Sequence, residues 1–71
     1  MKYQIVKITY EELQKWKKTR YDNSFIKSIL AKHLNVKSSE IDDYDQINYG
    51  LTFEVCLIEE YEVEEWNTKK H

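Results

Sequence analysis

The chain has no proline, a single glycine (Gly50) and a single cysteine (Cys56) among its 71 residues. Without proline-, glycine- or serine-rich runs, nothing in it reads as a flexible linker or a low-complexity tail. One cysteine excludes an internal disulfide, and with only His33 and His71 beside it no four-ligand structural zinc site can be completed. One glycine excludes a glycine-rich phosphate loop. No apolar run approaches the roughly 20 residues that span a bilayer. The stretch from Met1 to Tyr10 lacks the apolar core and cleavage site of a signal peptide. These absences predict one cytoplasmic, non-membrane domain over residues 1–71, and the lone thiol suits a reducing compartment. So short a chain is near the lower limit for a self-sufficient core. With no staple available, a second subunit is the remaining reinforcement, and a homodimer is expected.

What the chain does have is charge, sorted by sequence. Residues 1–37 hold nine Lys or Arg against three Asp or Glu, a net of +6. Residues 38–71 hold ten acids against Lys69 and Lys70, a net of −8. The formal total of −2 hides two opposed blocks. Such asymmetry speaks to partners rather than to fold.

Periodicity supplies the fold. Lys2 to Ile8 alternates as a strand, Tyr3 and Ile5 on one face and Val6 and Ile8 on the other, and two apolar faces predict an interior strand. Thr9 with Glu12 three residues later forms a capping-box pattern, opening a helix to about Thr19 with Tyr10, Leu13 and Trp16 on its apolar stripe. Asp22, Asn23 or Ser24 can cap a second helix whose stripe is Phe25, Ile26, Ile29, Leu30, His33 and Leu34. Asn35 suits a left-handed cap, and Val36 and Ile41 flank a short helical turn at Ser38, Ser39 and Glu40. A strand around Tyr44 to Asn48, a turn at Asn48, Tyr49 and Gly50, and a strand from Leu51 to Val63 complete the chain. The prediction is a two-layer α+β domain, β-α-α-(short helix)-β-β, with the helices on one face of a small sheet.

Catalytic chemistry finds no constellation. Asp42, Asp43 and Asp45 cluster, but Ile47 stands where a calcium loop needs an oxygen ligand, so no metal site is assigned. His33 lies on an apolar stripe, where a satisfied core or rim histidine is expected, and Cys56 has no basic neighbour to activate it. No enzyme, no cofactor and no catalytic residue is predicted. Lys15, Lys17, Lys18 and Arg20, with Tyr21 beside them, could track phosphates. Ten acids in the second half oppose a polyanion, so direct nucleic-acid binding ranks as the alternative reading.

The strongest feature is the stretch from Asp42 to Glu65. Read as a strand, its second part points Glu54, Glu60, Glu62 and Glu64 away from the helices, alternate residues standing about 6.6 Å apart. Asp42, Asp43 and Asp45 extend this array, and Tyr44, Tyr49, Tyr61 and Trp66 supply apolar anchors among the carboxylates, Tyr61 or Trp66 near its edge. Small size, no catalytic motif and a localised carboxylate array resemble the small host-takeover proteins of bacteriophages. Some of those are DNA mimics that occupy DNA-binding surfaces, including that of the nucleoid protein HU. The resemblance implies an inhibitor whose acidic face docks on a basic, nucleic-acid-binding host protein. A structural or adaptor role without mimicry is the other alternative.

Overall fold

The computed structural model describes residues 2–58 of the chain. The order is strand β1 (Lys2–Lys7), helix α1 (Tyr10–Lys18), helix α2 (Asn23–Leu34), a 3₁₀ turn (Ser38–Glu40), strand β2 (Ile41–Gln46) and strand β3 (Thr52–Leu57). Three antiparallel strands make one sheet in the order β1-β3-β2, with both helices on one face. This is the predicted two-layer α+β architecture. The expected strand from Leu51 to Val63 is described only as far as Leu57; Glu60, Glu62, Glu64, Tyr61 and Trp66 lie outside the described residues.

Capping decides where the helices begin and end. Thr9 accepts from the Glu12 amide at 3.1 Å, and the Glu12 carboxylate accepts from the Thr9 amide at 2.8 Å. Asp22 caps α2 through the Phe25 amide at 2.8 Å. Asn35 closes α2 in the left-handed region, at φ 58°. Between the helices no glycine is available, yet Arg20 and Tyr21 both take positive φ, 60° and 63°. Local bonds hold that conformation. The Tyr21 amide donates to the Trp16 carbonyl at 3.1 Å, and the Trp16 indole donates to the Asp22 carbonyl at 3.0 Å. The Tyr21 ring stands edge-on to Trp16 at 4.9 Å between centroids.

Burial decides which face each element turns inward. Val6, Ile8, Leu13, Trp16, Ile26, Ile29, Leu30, Ala31, Ile41, Phe53, Val55 and Leu57 form one apolar cluster, with Leu34 packed partly buried against it. Phe53 and Val55, fully buried on the central strand, sit under the helices, and Trp16 meets Phe53 edge-on at 5.6 Å. Truncating a ring so placed costs about 3–5 kcal/mol, a large share of what a domain this size holds.

Three expectations are corrected. β1 is an edge strand and β3 the interior one, so Tyr3 and Ile5 project from the uncovered face at 64% and 63% exposure. Alternating apolar residues report two apolar faces without telling which one the helices cover. Tyr10, expected on the α1 stripe, is exposed, because only Leu13 and Trp16 reach the core from that helix. β2 begins at Ile41 and ends at Gln46, earlier than the expected span from Tyr44 to Asn48. The turn after it is closed by the Gly50 amide donating to the Ile47 carbonyl at 3.1 Å, with Asn48 and Tyr49 both at positive φ. That is the hairpin turn of the mirror-image type I, whose two central residues must be left-handed. Asn48 tolerates this; Tyr49 occupies the place such turns usually give to glycine, while Gly50 keeps an ordinary φ. A bulky residue there costs about 1–3 kcal/mol.

Candidate partner-binding face

The uncovered face of the sheet is assembled by strand register. On the β1 side, Tyr3 stands opposite Cys56, Ile5 opposite Glu54 and Lys7 opposite Thr52. On the β2 side, Asp43 stands opposite Cys56 and Asp45 opposite Glu54. The sequence places Glu54, Cys56 and Thr52 together on this face, and the structure does the same. Asp43 and Asp45 reach it by a different device.

That device is a bulge. The pairing steps from Ile41 opposite Leu57 to Asp43 opposite Cys56, so two residues of β2 answer one of β3 and Asp42 is the extra one. Side chains alternate along a strand, and one inserted residue therefore exchanges the two faces beyond it. Without the bulge, the alternation from buried Ile41 would turn Asp43 and Asp45 inward and Tyr44 outward. With it, Asp43 and Asp45 are exposed and Tyr44 turns to the helices, its hydroxyl donating to the Asn23 side-chain oxygen and its ring tilted on Phe53. Desolvation, then Asp43 and Asp22, push its phenol above the ordinary range. Tyr44 is thus a packing residue, which corrects its expected place among the carboxylates. Tyr49 also lies elsewhere, on the β2–β3 hairpin tip. Nothing in a four-residue pattern with three acids signals a bulge beforehand.

The aromatic residue that does stand in this face is Tyr3, which the sequence reading assigned to a covered strand. Its phenol is held above the ordinary range, first by the charge and hydrogen bonding of the Cys56 sulfur, then by desolvation and by Glu54 and Asp42. Carboxylates of two strands, Asp42 on β2 and Glu54 on β3, thus bear on the one hydroxyl. Tyr3, Asp43, Tyr44, Asp45, Glu54 and Cys56 line a shallow depression of about 60 Å³, enough for a water or the tip of a partner's side chain and no more. Cys56 lies on its floor at 7% exposure, more deeply buried than its half-buried expectation.

Two features of this face do nothing for the fold. Asp45 and Glu54 are direct cross-strand partners, and like charges so placed destabilise a sheet. Ile5, largely exposed beside Glu54, lies on a strand with one open edge among the described residues. The cations stand in the other layer: Lys15, Lys17, Lys18, Lys27 and Lys32 on the helices, Arg20 and Lys37 in the segments that follow them. Among the described residues, most cations thus lie on the helical side, with Lys2 and Lys7 on β1, while Asp43, Asp45 and Glu54 lie on the outer face of the sheet.

His33 lies on the rim and bonds the Glu12 carboxylate at 2.8 Å. Burial alone would raise the Glu12 pKa, but the Thr9 amide, His33 and the Thr9 hydroxyl outweigh it, leaving the carboxyl below its ordinary range. This pair ties α1 to α2 and explains the histidine structurally. Among the described residues no three His, Cys, Asp or Glu side chains converge as a metal-holding group, and no helix is long and apolar enough to cross a membrane. No protein-family model matches the chain, and no match was found to a curated protein or to a solved structure.

Proposed function

We propose that the protein is a non-catalytic, cytoplasmic binding protein whose acidic sheet face docks on the basic, nucleic-acid-binding surface of a partner protein. The observation that carries this reading is the opposed pair Asp45 and Glu54, set beside Asp43 and Tyr3 on a face that contributes little to the core. Repulsion within it lowers the stability of a domain with little to spare. A cationic partner would relieve that repulsion. Coulomb attraction would speed and orient the encounter, while Tyr3 and Ile5 supply apolar contact within the charged field. Glu60, Glu62, Glu64, Tyr61 and Trp66, outside the described residues, are the expected continuation of the face. The bacteriophage DNA mimics share this logic, and the nucleoid protein HU is the kind of target it suits.

The protein also self-associates in this reading. The open edge of β1 carries Tyr3 and Ile5 on one face, and a second β1 running antiparallel would set each Tyr3 opposite an Ile5, a stabilising aromatic–aliphatic pair. The sheets would then join, doubling the acidic face. A displacement assay tests the docking claim. Labelled duplex bound to HU should be released by the parent chain, with less release as salt rises. Undiminished release by a variant carrying Asp43→Asn, Asp45→Asn and Glu54→Gln would sink the assignment of this face.

A further inference from the structure

At the other end of the domain, the last turn of α1 faces the tip of the β2–β3 hairpin across a groove of about 420 Å³ lined by Lys17, Tyr21, Gln46 and Tyr49. We infer that this groove is a second binding site, separate from the acidic face, that holds one nucleotide unit of a single-stranded nucleic acid.

The chemistry of the lining selects that ligand. Two phenol rings offer π-faces on which an unpaired base can stack, and stacking of this kind tolerates any base. Lys17 offers a cation for the backbone phosphate, with Lys18 and Arg20 following it in the chain. Gln46 offers an amide for a base edge. Among the described residues, no carboxylate lines the groove. Asp45, the neighbour of Gln46, alternates to the opposite face of the sheet, where it pairs with Glu54. The ten acids that weigh against a polyanion in the sequence therefore do not all bear on this site. A volume of about 420 Å³ falls within the roughly 300–1,000 Å³ of small-ligand sites. A duplex keeps its bases stacked inside and offers no free ring to the two tyrosines, so the single strand is the form that fits.

The backbone supports the same reading independently. Both rings sit on left-handed residues, Tyr21 at φ 63° and Tyr49 at φ 57°. Tyr21 gains from its edge contact with Trp16. Tyr49 is 92% exposed and occupies the place that glycine would fill best. A strained backbone that projects an uncovered ring is unfavourable for the isolated domain, and strain of this kind clusters at sites that contact ligands. The groove is also preformed. The Gln46 amide donates to the Gly50 carbonyl at 2.9 Å, and the hairpin is closed by the Ile47 amide on the Thr52 carbonyl at 2.9 Å. Little ordering is then left for the moment of binding.

Fluorescence anisotropy of the full chain with a labelled ten-residue oligothymidylate at low salt tests the proposal. Binding is expected, with log K falling against log salt by about 0.7 for each phosphate engaged. Lys17→Gln should flatten that slope. Tyr49→Gly should lower affinity by about fivefold or more, the loss of one base–ring stack, and should raise the melting temperature as the strain is relieved. An abasic oligomer of equal charge should bind more weakly than the thymidylate. Absence of oligothymidylate binding by the parent, or unchanged binding by Tyr49→Gly, would overturn the proposal. So would equal binding of the abasic strand or of polyglutamate, which would mean a general anion site. Variants of Asp43, Asp45 and Glu54 should leave this binding in place, so the two sites can fail separately.

Discussion

The two faces of β3 obey different rules. Inward, Phe53, Val55 and Leu57 are buried under the helices, and each is explained by the core it fills. Outward, Glu54 stands opposite Asp45, beside exposed Ile5 and below exposed Tyr3, and none of these placements helps the fold. The inner face answers to burial. The outer face holds a repulsive pair and uncovered apolar groups that stability alone would remove. The difference separates residues that burial explains from residues that it does not.

Breaking the comparison begins at the bulge. Deleting Asp42 would remove the extra residue and leave Ile41 and Tyr44 facing inward and Asp43 and Asp45 outward, in unbroken register with β3. Cooperative unfolding by circular dichroism should therefore survive the deletion. Its loss would contradict the bulge. Phe53→Ala should remove about 3–5 kcal/mol and Ile29→Ala about 2–5 kcal/mol in urea titrations. Parent-like midpoints would refute the helices-over-sheet packing.

On the outer face the signs should reverse. Ile5→Lys should leave the fold intact while shifting sedimentation equilibrium at micromolar concentration from dimer to monomer; a parent that is already monomeric rules out association through β1. Asp45→Asn should stabilise the domain by about 0.2–1 kcal/mol, since it relieves a direct like-charge pair, and destabilisation would show that the carboxylate serves the fold after all. The smallest effect belongs to Glu12. Its carboxyl is held below the ordinary value of 4.5, so the contact with Thr9 and His33 stabilises the folded state above that pH. The contribution fades as pH falls through the lowered folded value. Glu12→Gln should therefore be less stable than the parent at neutral pH, with the gap closing toward pH 3. A gap independent of pH would assign the effect to packing instead.

Sequence revealed the local chemistry of this fold better than its register. Thr9 with Glu12, Asp22 and Asn35 are caps whose partners lie within a few residues, so composition and spacing suffice to find them. The stripe of Ile26, Ile29 and Leu30 is similarly legible from helical period. What escaped depends on distant pairing. Whether β1 lies inside or at an edge is settled by β3, some fifty residues later, and the orientation of Tyr44, Asp43 and Asp45 by one inserted residue. Of the candidate site, Glu54 was read on its correct face from period two alone. Tyr3 was missed, although its alternation with Val6 and Ile8 already set it on the opposite face, because apolar residues on both faces looked like double burial. The groove near Lys17 was missed because its tyrosines come from two turns far apart in the chain.

The central claim is that the outer face recognises a basic, nucleic-acid-binding partner. Affinity capture from bacterial lysate, run in parallel with the parent and with the Asp43→Asn, Asp45→Asn, Glu54→Gln variant, tests it most directly. The account predicts a basic nucleic-acid-binding protein retained by the parent, released by added duplex DNA or raised salt, and lost from the variant. Retention of the same proteins by both chains, unaffected by duplex DNA, would contradict it.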